Sequence, residues 1–96
     1  MNTKQFYING KWVDPVTPES LNIINPASEE SIAEISVGTP ADIDKAVKAA
    51  RKAFPSFSST SVKERSEMLI SFREIFKKRF NDISDAISSE MGAPVK

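Results

Sequence analysis

The sequence contains no cysteine and no histidine, the two side chains that most often serve as nucleophile and general base near neutral pH. A thiolate attack cannot start from a chain without a thiol, and zinc centres of the Cys/His type are excluded with it. Glycine is nearly as scarce. Gly10, Gly38 and Gly92 are the only three, too far apart to form a G-x-G-x-x-G turn or a P-loop around a phosphate. An excess of charge of either sign is also missing. Thirteen basic and thirteen acidic side chains balance to zero, so no overall field draws the chain to nucleic acid or to an anionic membrane. No apolar run approaches the roughly 20 residues of a membrane span, and the amino-terminal region holds no continuous apolar segment of signal-peptide type. Without cysteine to staple a small secreted fold, the cytoplasm is the expected compartment.

What is present suits one small α+β unit. Ninety-six residues bury only about 60–65% of their unfolded surface. Residues 1–50 carry 4 basic and 7 acidic groups, and residues 51–96 carry 9 and 6, an opposition suited to neutralisation across a packed interface. The strands fall within residues 5–37. Residues 5–13 hold two short apolar runs around Asn9-Gly10, a dipeptide that accepts the positive φ of a type I′ hairpin. Pro15 and Pro18 lack amide donors and block regular pairing after it. A second antiparallel pair is predicted on either side of the turn 26–30, with a bulge or twisted edge where Ile32, Ile35 and Val37 break alternation.

Three helices are predicted to follow, over about residues 40–54, 62–80 and 81–91. Thr39, Pro40 and Asp42 suit the N-cap, N1 and N3 positions of the first. Its face carries Ile43, Ala46, Val47, Ala50 and Phe54 at helical spacing, and Pro55 is predicted to end it. Ser61 and Glu64 form a capping box for the second, whose stripe is Met68, Leu69, Phe72, Ile75 and Phe76. Asn81 is predicted to cap the third, and Gly92 and Pro94 to stop it. These stripes present more apolar surface than two short hairpins cover, so self-association through exposed helix faces is expected of the chain alone.

Five runs occur in fixed order: Ile8-Asn9-Gly10-Lys11-Trp12-Val13, Ile24-Asn25-Pro26-Ala27, Thr39-Pro40-Ala41-Asp42, Ser61-Val62-Lys63-Glu64-Arg65 and Glu90-Met91-Gly92. Each alone is generic. Their concatenation resembles the N-terminal segment of the NAD(P)-dependent aldehyde dehydrogenase superfamily, along nearly the whole chain. Phe57 stands where that family commonly has Trp, a departure that touches subfamily rather than family. The resemblance implies the N-terminal part of an α/β coenzyme-binding domain, with the catalytic and oligomerisation parts absent. It implies a parent enzyme that oxidises an aldehyde to a carboxylic acid through a covalent thiohemiacetal, with hydride transfer to NAD or NADP. The catalytic cysteine, general-base glutamate and dinucleotide fingerprint of such enzymes have no counterpart here. No catalytic and no cofactor-binding residue is therefore assigned, and the chain alone is expected to be inactive. Its implied partner is the remainder of the parent enzyme, with a small aldehyde as the parent's substrate and neither nucleic acid nor membrane. The alternative is a truncated, non-enzymatic remnant or a small helical interaction module.

Glu90 is the one side chain that points to a ligand. On a helix starting near Asn81 it follows Ile83, Ala86 and Ile87 by seven, four and three residues, on the apolar face and at the unfavourable negative end of the dipole. A carboxylate so placed needs a partner if it is buried; if the last turn frays, it simply reaches solvent. The resemblance implies a partner: in many family members the equivalent acid joins backbone carbonyls ahead of Asn-Pro-Ala around a monovalent cation. Carried over by motif, those carbonyls are of Ile23 and Ile24.

Overall fold

A computed structural model describes residues 2–94. Four strands precede three helices: β1 (Phe6–Ile8), β2 (Lys11–Val13), β3 (Ser20–Ile24), β4 (Ser31–Ser36), α1 (Pro40–Ser58), α2 (Val62–Lys78) and α3 (Phe80–Met91). The strands form two separate antiparallel ribbons, β1 with β2 and β3 with β4. Asn9 and Gly10 both adopt positive φ, 54° and 74°, as a two-residue I′ turn requires. That turn fixes the register Phe6↔Val13, Tyr7↔Trp12 and Ile8↔Lys11. It also brings the Tyr7 and Trp12 rings edge to face at 5.2 Å.

The β3–β4 turn is built by Asn25. Its side-chain oxygen accepts from the Ala27 amide at 2.9 Å, and its carbonyl accepts from Glu29 N at 2.7 Å, an Asx turn held by the residue type that best supports one. The ladder then slips between Ile23, opposite Ala33, and Ile24, opposite Ser31. Ile32 is the extra residue of a bulge, which accounts for the broken apolar alternation of this strand.

Pro55 does not end α1, which continues through it to Ser58. Proline has no N–H to offer the Arg51 carbonyl, but the turn that follows is stitched by hydroxyls. Ser56, Ser58 and Ser59 each donate to the carbonyl three residues back, at 3.1, 3.0 and 2.9 Å. Residues 55–58, beyond the predicted end of the first helix, are thus its final turn. The α2 capping box forms as predicted, with Glu64 N donating to Ser61 Oγ at 3.1 Å and Ser61 N to Glu64 Oε2 at 3.0 Å. The start of α3 lies earlier than expected. Arg79, not Asn81, is its N-cap; the Arg79 amide still bonds back to Ile75 and Phe76, so the chain leaves α2 and enters α3 within one residue.

The described residues contain no buried hydrophobic side chain. The chain exposes 8081 Å², where a compact protein of 10.6 kDa exposes about 5,500 Å². Its radius of gyration is 17.2 Å, against about 13 Å for a compact chain of this length. The molecule is a plate of 48 × 37 × 16 Å, with α1 against β1 and α2 against α3.

Candidate functional site

Among the described residues Asp42 is the one that is buried, 4% exposed. The favourable place for an acid at the third residue of a helix puts its carboxylate beside the free amides of the first turn. Oδ2 accepts from the Thr39 amide and the Thr39 hydroxyl, both at 3.0 Å. Oδ1 reaches across 26 residues to accept from the Val16 amide, also at 3.0 Å. The donating Thr39 and Val16 amides, joined by the Thr39 hydroxyl and the charge of Lys45, hold the Asp42 carboxyl below its ordinary 3.8 against the opposing effect of burial. Asp42 therefore pins the proline-bounded segment after β2 to the start of α1. Sequence reasoning placed this carboxylate at the helix terminus and missed its distant partner. No local pattern around Pro15 and Pro18 signals that partner.

Beside Asp42 lies an open cleft of about 440 Å³ between the first ribbon and α1, lined by Phe6, Tyr7, Ile8, Gly38, Ile43 and Ala46 among others. Both oxygens of its one acid are engaged. The cleft suits an apolar side chain from a packing partner better than a charged ligand.

The expected cation ligands lie on two elements, Ile23 and Ile24 at the end of β3 and Glu90 in the last turn of α3. Gly92 closes α3 in the left-handed region, φ 71°, with its amide donating to Ser88 O at 2.9 Å. A Cβ at Gly92 would stand 3.0 Å from Pro26 Cγ and 3.1 Å from Ala27 N. Glycine is required there twice, for its backbone angle and for its close approach. This contact sets the end of α3, two residues beyond Glu90, against the turn that follows Ile24. Ile23 and Ile24 flank the bulge, where the register of the ladder shifts. Glu90 itself is exposed, although the last turn does not fray and α3 stays helical through Met91. No group of three or more Asp, Glu, His or Cys is placed to hold a metal among the described residues, so a cation here would depend on backbone oxygen.

The profile of the aldehyde dehydrogenase family matches residues 12–96. A Staphylococcus haemolyticus protein assigned by name to the aldehyde dehydrogenases is 45% identical over 94 residues, covering 98% of this chain and 20% of that protein. A crystal structure of an aldehyde dehydrogenase from Bartonella henselae superposes with a TM-score of 0.94 at 48% identity, over 96% of this chain and 19% of that one. Aldehyde dehydrogenase C of Pseudomonas syringae, a mutant solved with NAD+ and octanal, gives 0.93 at 42% identity, over 95% and 19%. The chain thus spans about a fifth of the length of the relatives it matches.

Proposed function

Because this chain belongs to the aldehyde dehydrogenase family, we propose that it is the N-terminal scaffold of an NAD(P)-dependent enzyme that oxidises an aldehyde to a carboxylic acid. The aldehyde hydrogen would leave as hydride to the nicotinamide, and water would supply the second carboxylate oxygen. This chain supplies neither nucleophile nor base, since it has no cysteine and no histidine and its buried acid is fully engaged. On this reading the chain alone is inactive and works in the cytoplasm as the N-terminal part of the coenzyme-binding domain. NAD bound to the Pseudomonas syringae relative supports NAD for the whole protein, with NADP the other member of the same cofactor class.

One observation carries the proposal. The helix faces are apolar and uncovered, with Phe54 65% and Leu69 69% exposed, and fully burying such side chains is worth about 1.5–3 kcal/mol each. The remainder of the parent enzyme is the cover these faces fit; without it, self-association through the same faces is the expected outcome. The carbonyls of Ile23 and Ile24 with Glu90 complete the reading as ligands of a monovalent cation.

Complementation tests it. The chain is co-expressed with the Staphylococcus haemolyticus relative lacking its matching segment, and NADH formation is followed with an aldehyde. Turnover is expected only when both parts are present, and calorimetry of the chain alone with NAD or NADP should give no saturable heat. Failure of the two parts to associate would sink the scaffold reading. In the active pair, potassium salts should protect against heat better than a bulky organic cation, and Glu90→Gln should remove that difference. An unchanged difference in the mutant would remove Glu90 from the site.

A further inference from the structure

We propose that a groove between the first ribbon and α1 binds a small anion built of linked phosphates. Lys11 of β2 and Lys45, Lys48 and Lys52 of α1 line this open groove of about 370 Å³. Three of them are among the only four basic groups of residues 1–50, a half that carries seven acids. Positive charge is thus gathered here against the balance of its surroundings. On α1 the three lysines stand at i, i+3 and i+7, neighbours along one side of the helix. All four ammonium groups belong to exposed residues, while Ile8, Val13 and Ala49 form a half-buried apolar part of the lining. Among the described residues no carboxylate lines the groove. A cleft lined by charge of one sign against apolar walls concentrates counter-ions.

The remainder of the parent enzyme is not the occupant these lysines suit. At about 100° per residue, Lys45, Lys48 and Lys52 centre on the side of α1 opposite the stripe of Ile43, Val47, Ala50 and Phe54. A surface laid on that stripe leaves them open. The acids nearby do not serve as counter-ions either. Lys45 acts on the Asp42 carboxyl, but both Asp42 oxygens are taken by Thr39 and Val16, and Asp14 accepts from Gln5. Asp44 stands one turn before Lys48, yet the ion pairs among the described residues form elsewhere, at Lys4, Lys63, Arg73, Lys77 and Arg79. Like charges one helical turn apart repel, and an anion seated between them removes that cost. Lysine meets phosphate oxygens as a point charge with three donors. The row from Lys45 to Lys52 is about 10 Å long, room for a few linked phosphates. A nucleic acid, whose affinity grows with the number of phosphates neutralised, gains little from so short a row.

This site goes beyond the scaffold reading, because it uses none of the parent's chemistry and is measured without the remainder of any enzyme. Calorimetric titration of the 96-residue chain with tripolyphosphate at low ionic strength is expected to give one saturable event, weakened by added salt. NAD, with a single charge on each phosphate and a nucleoside at either end, should give none. Lys48→Gln should weaken tripolyphosphate by roughly two- to fivefold, the worth of one exposed charge contact. Lys45→Gln, Lys48→Gln and Lys52→Gln combined should remove the event, with helicity by circular dichroism unchanged, whereas Lys63→Gln on α2 should leave it intact. In the natural chain, tripolyphosphate should shield Lys11, Lys45, Lys48 and Lys52 from amine acylation, read by mass spectrometry, more than Lys63, Lys77 and Lys78. Absence of saturable heat, binding that survives the triple substitution, equal shielding of all lysines, or tighter binding of a single-stranded oligonucleotide would overturn the proposal.

Discussion

The strands and the start of α1 are joined by polar contacts between residues far apart in sequence, whereas α2 and α3 are ordered mainly by contacts between near neighbours. In the first region Asp42 holds Val16, Ser36 Oγ donates to Lys4 O at 2.6 Å, and Gln5 donates to Asp14. In the second, side-chain hydrogen bonds span three to five residues: the Ser61–Glu64 box, Arg65 to Thr60, Arg79 to Asp82 and Ser88 to Ala93. Hydrogen bonds can position a chain that has no core, because each fixes direction as well as distance. Apolar faces give no such direction until something covers them. The first region thus carries its own geometry, and the second awaits a surface to define its place.

Removing Asp42 should break this contrast most severely. Asp42→Ala leaves the Val16 and Thr39 amides without their acceptor, and hydrogen exchange should show loss of protection at both, with α2 unaffected. The same bond gives a pH signature. A carboxyl held below its ordinary 3.8 contributes its full stabilisation above that value and loses it as pH falls through the lower folded value. Protection of Val16 should therefore fall on acidification below about pH 4 and be flat above it; loss of protection between neutrality and pH 5 would contradict the assignment.

Gly92→Val is the next largest effect. It forces a β-branched residue to φ 71° and into the Ala27 backbone, at a cost of about 1–3 kcal/mol, and should free α3 from the Asn25 turn. Cross-linking between α3 and residues 26–27 that survives in the mutant would refute this. A smaller effect is expected from Ser61→Ala, which removes one cap of α2. It should cost about 1 kcal/mol, visible as lost helicity by circular dichroism, with Val16 protection unchanged. The smallest effect belongs to Lys4→Met. The Lys4–Glu34 pair is short, 2.7 Å, but exposed, and such pairs contribute at most about 1 kcal/mol. A larger loss would mean that the ribbons depend on charge more than on the Ser36 bond.

Features coded over a few residues were legible in the sequence. Asn9-Gly10 specified its turn, Ser61 and Glu64 their box, and Thr39-Pro40 the first residue of α1, because each requirement is met within four positions. Pro55 misled because it costs α1 the bond to the Arg51 carbonyl without preventing one further turn, to Ser58. Asn81 misled because a good capping residue does not cap when the preceding helix has already delivered the chain in helical geometry. The Asp42–Val16 bond was invisible because no local pattern encodes a partner 26 residues away. For the cation ligands, the motifs named Ile23, Ile24 and Glu90, and the approach of Gly92 to Pro26 depends on how α3 folds back, which spacing alone does not give.

The 16 Å thickness of the plate has a consequence for how its sequence can vary. A helix with its side chains is already about 10–12 Å across, so a plate this thin leaves little room for the second layer over its helices that a stable core needs. Among the described residues no hydrophobic side chain is buried by its own chain. The choice of residue at positions such as Val47 or Phe72 is therefore set by whatever second layer lies on them. Substitutions there should co-vary with residues of that covering surface, while those at Asp42, Asn25 and Gly92 answer to partners within the chain itself.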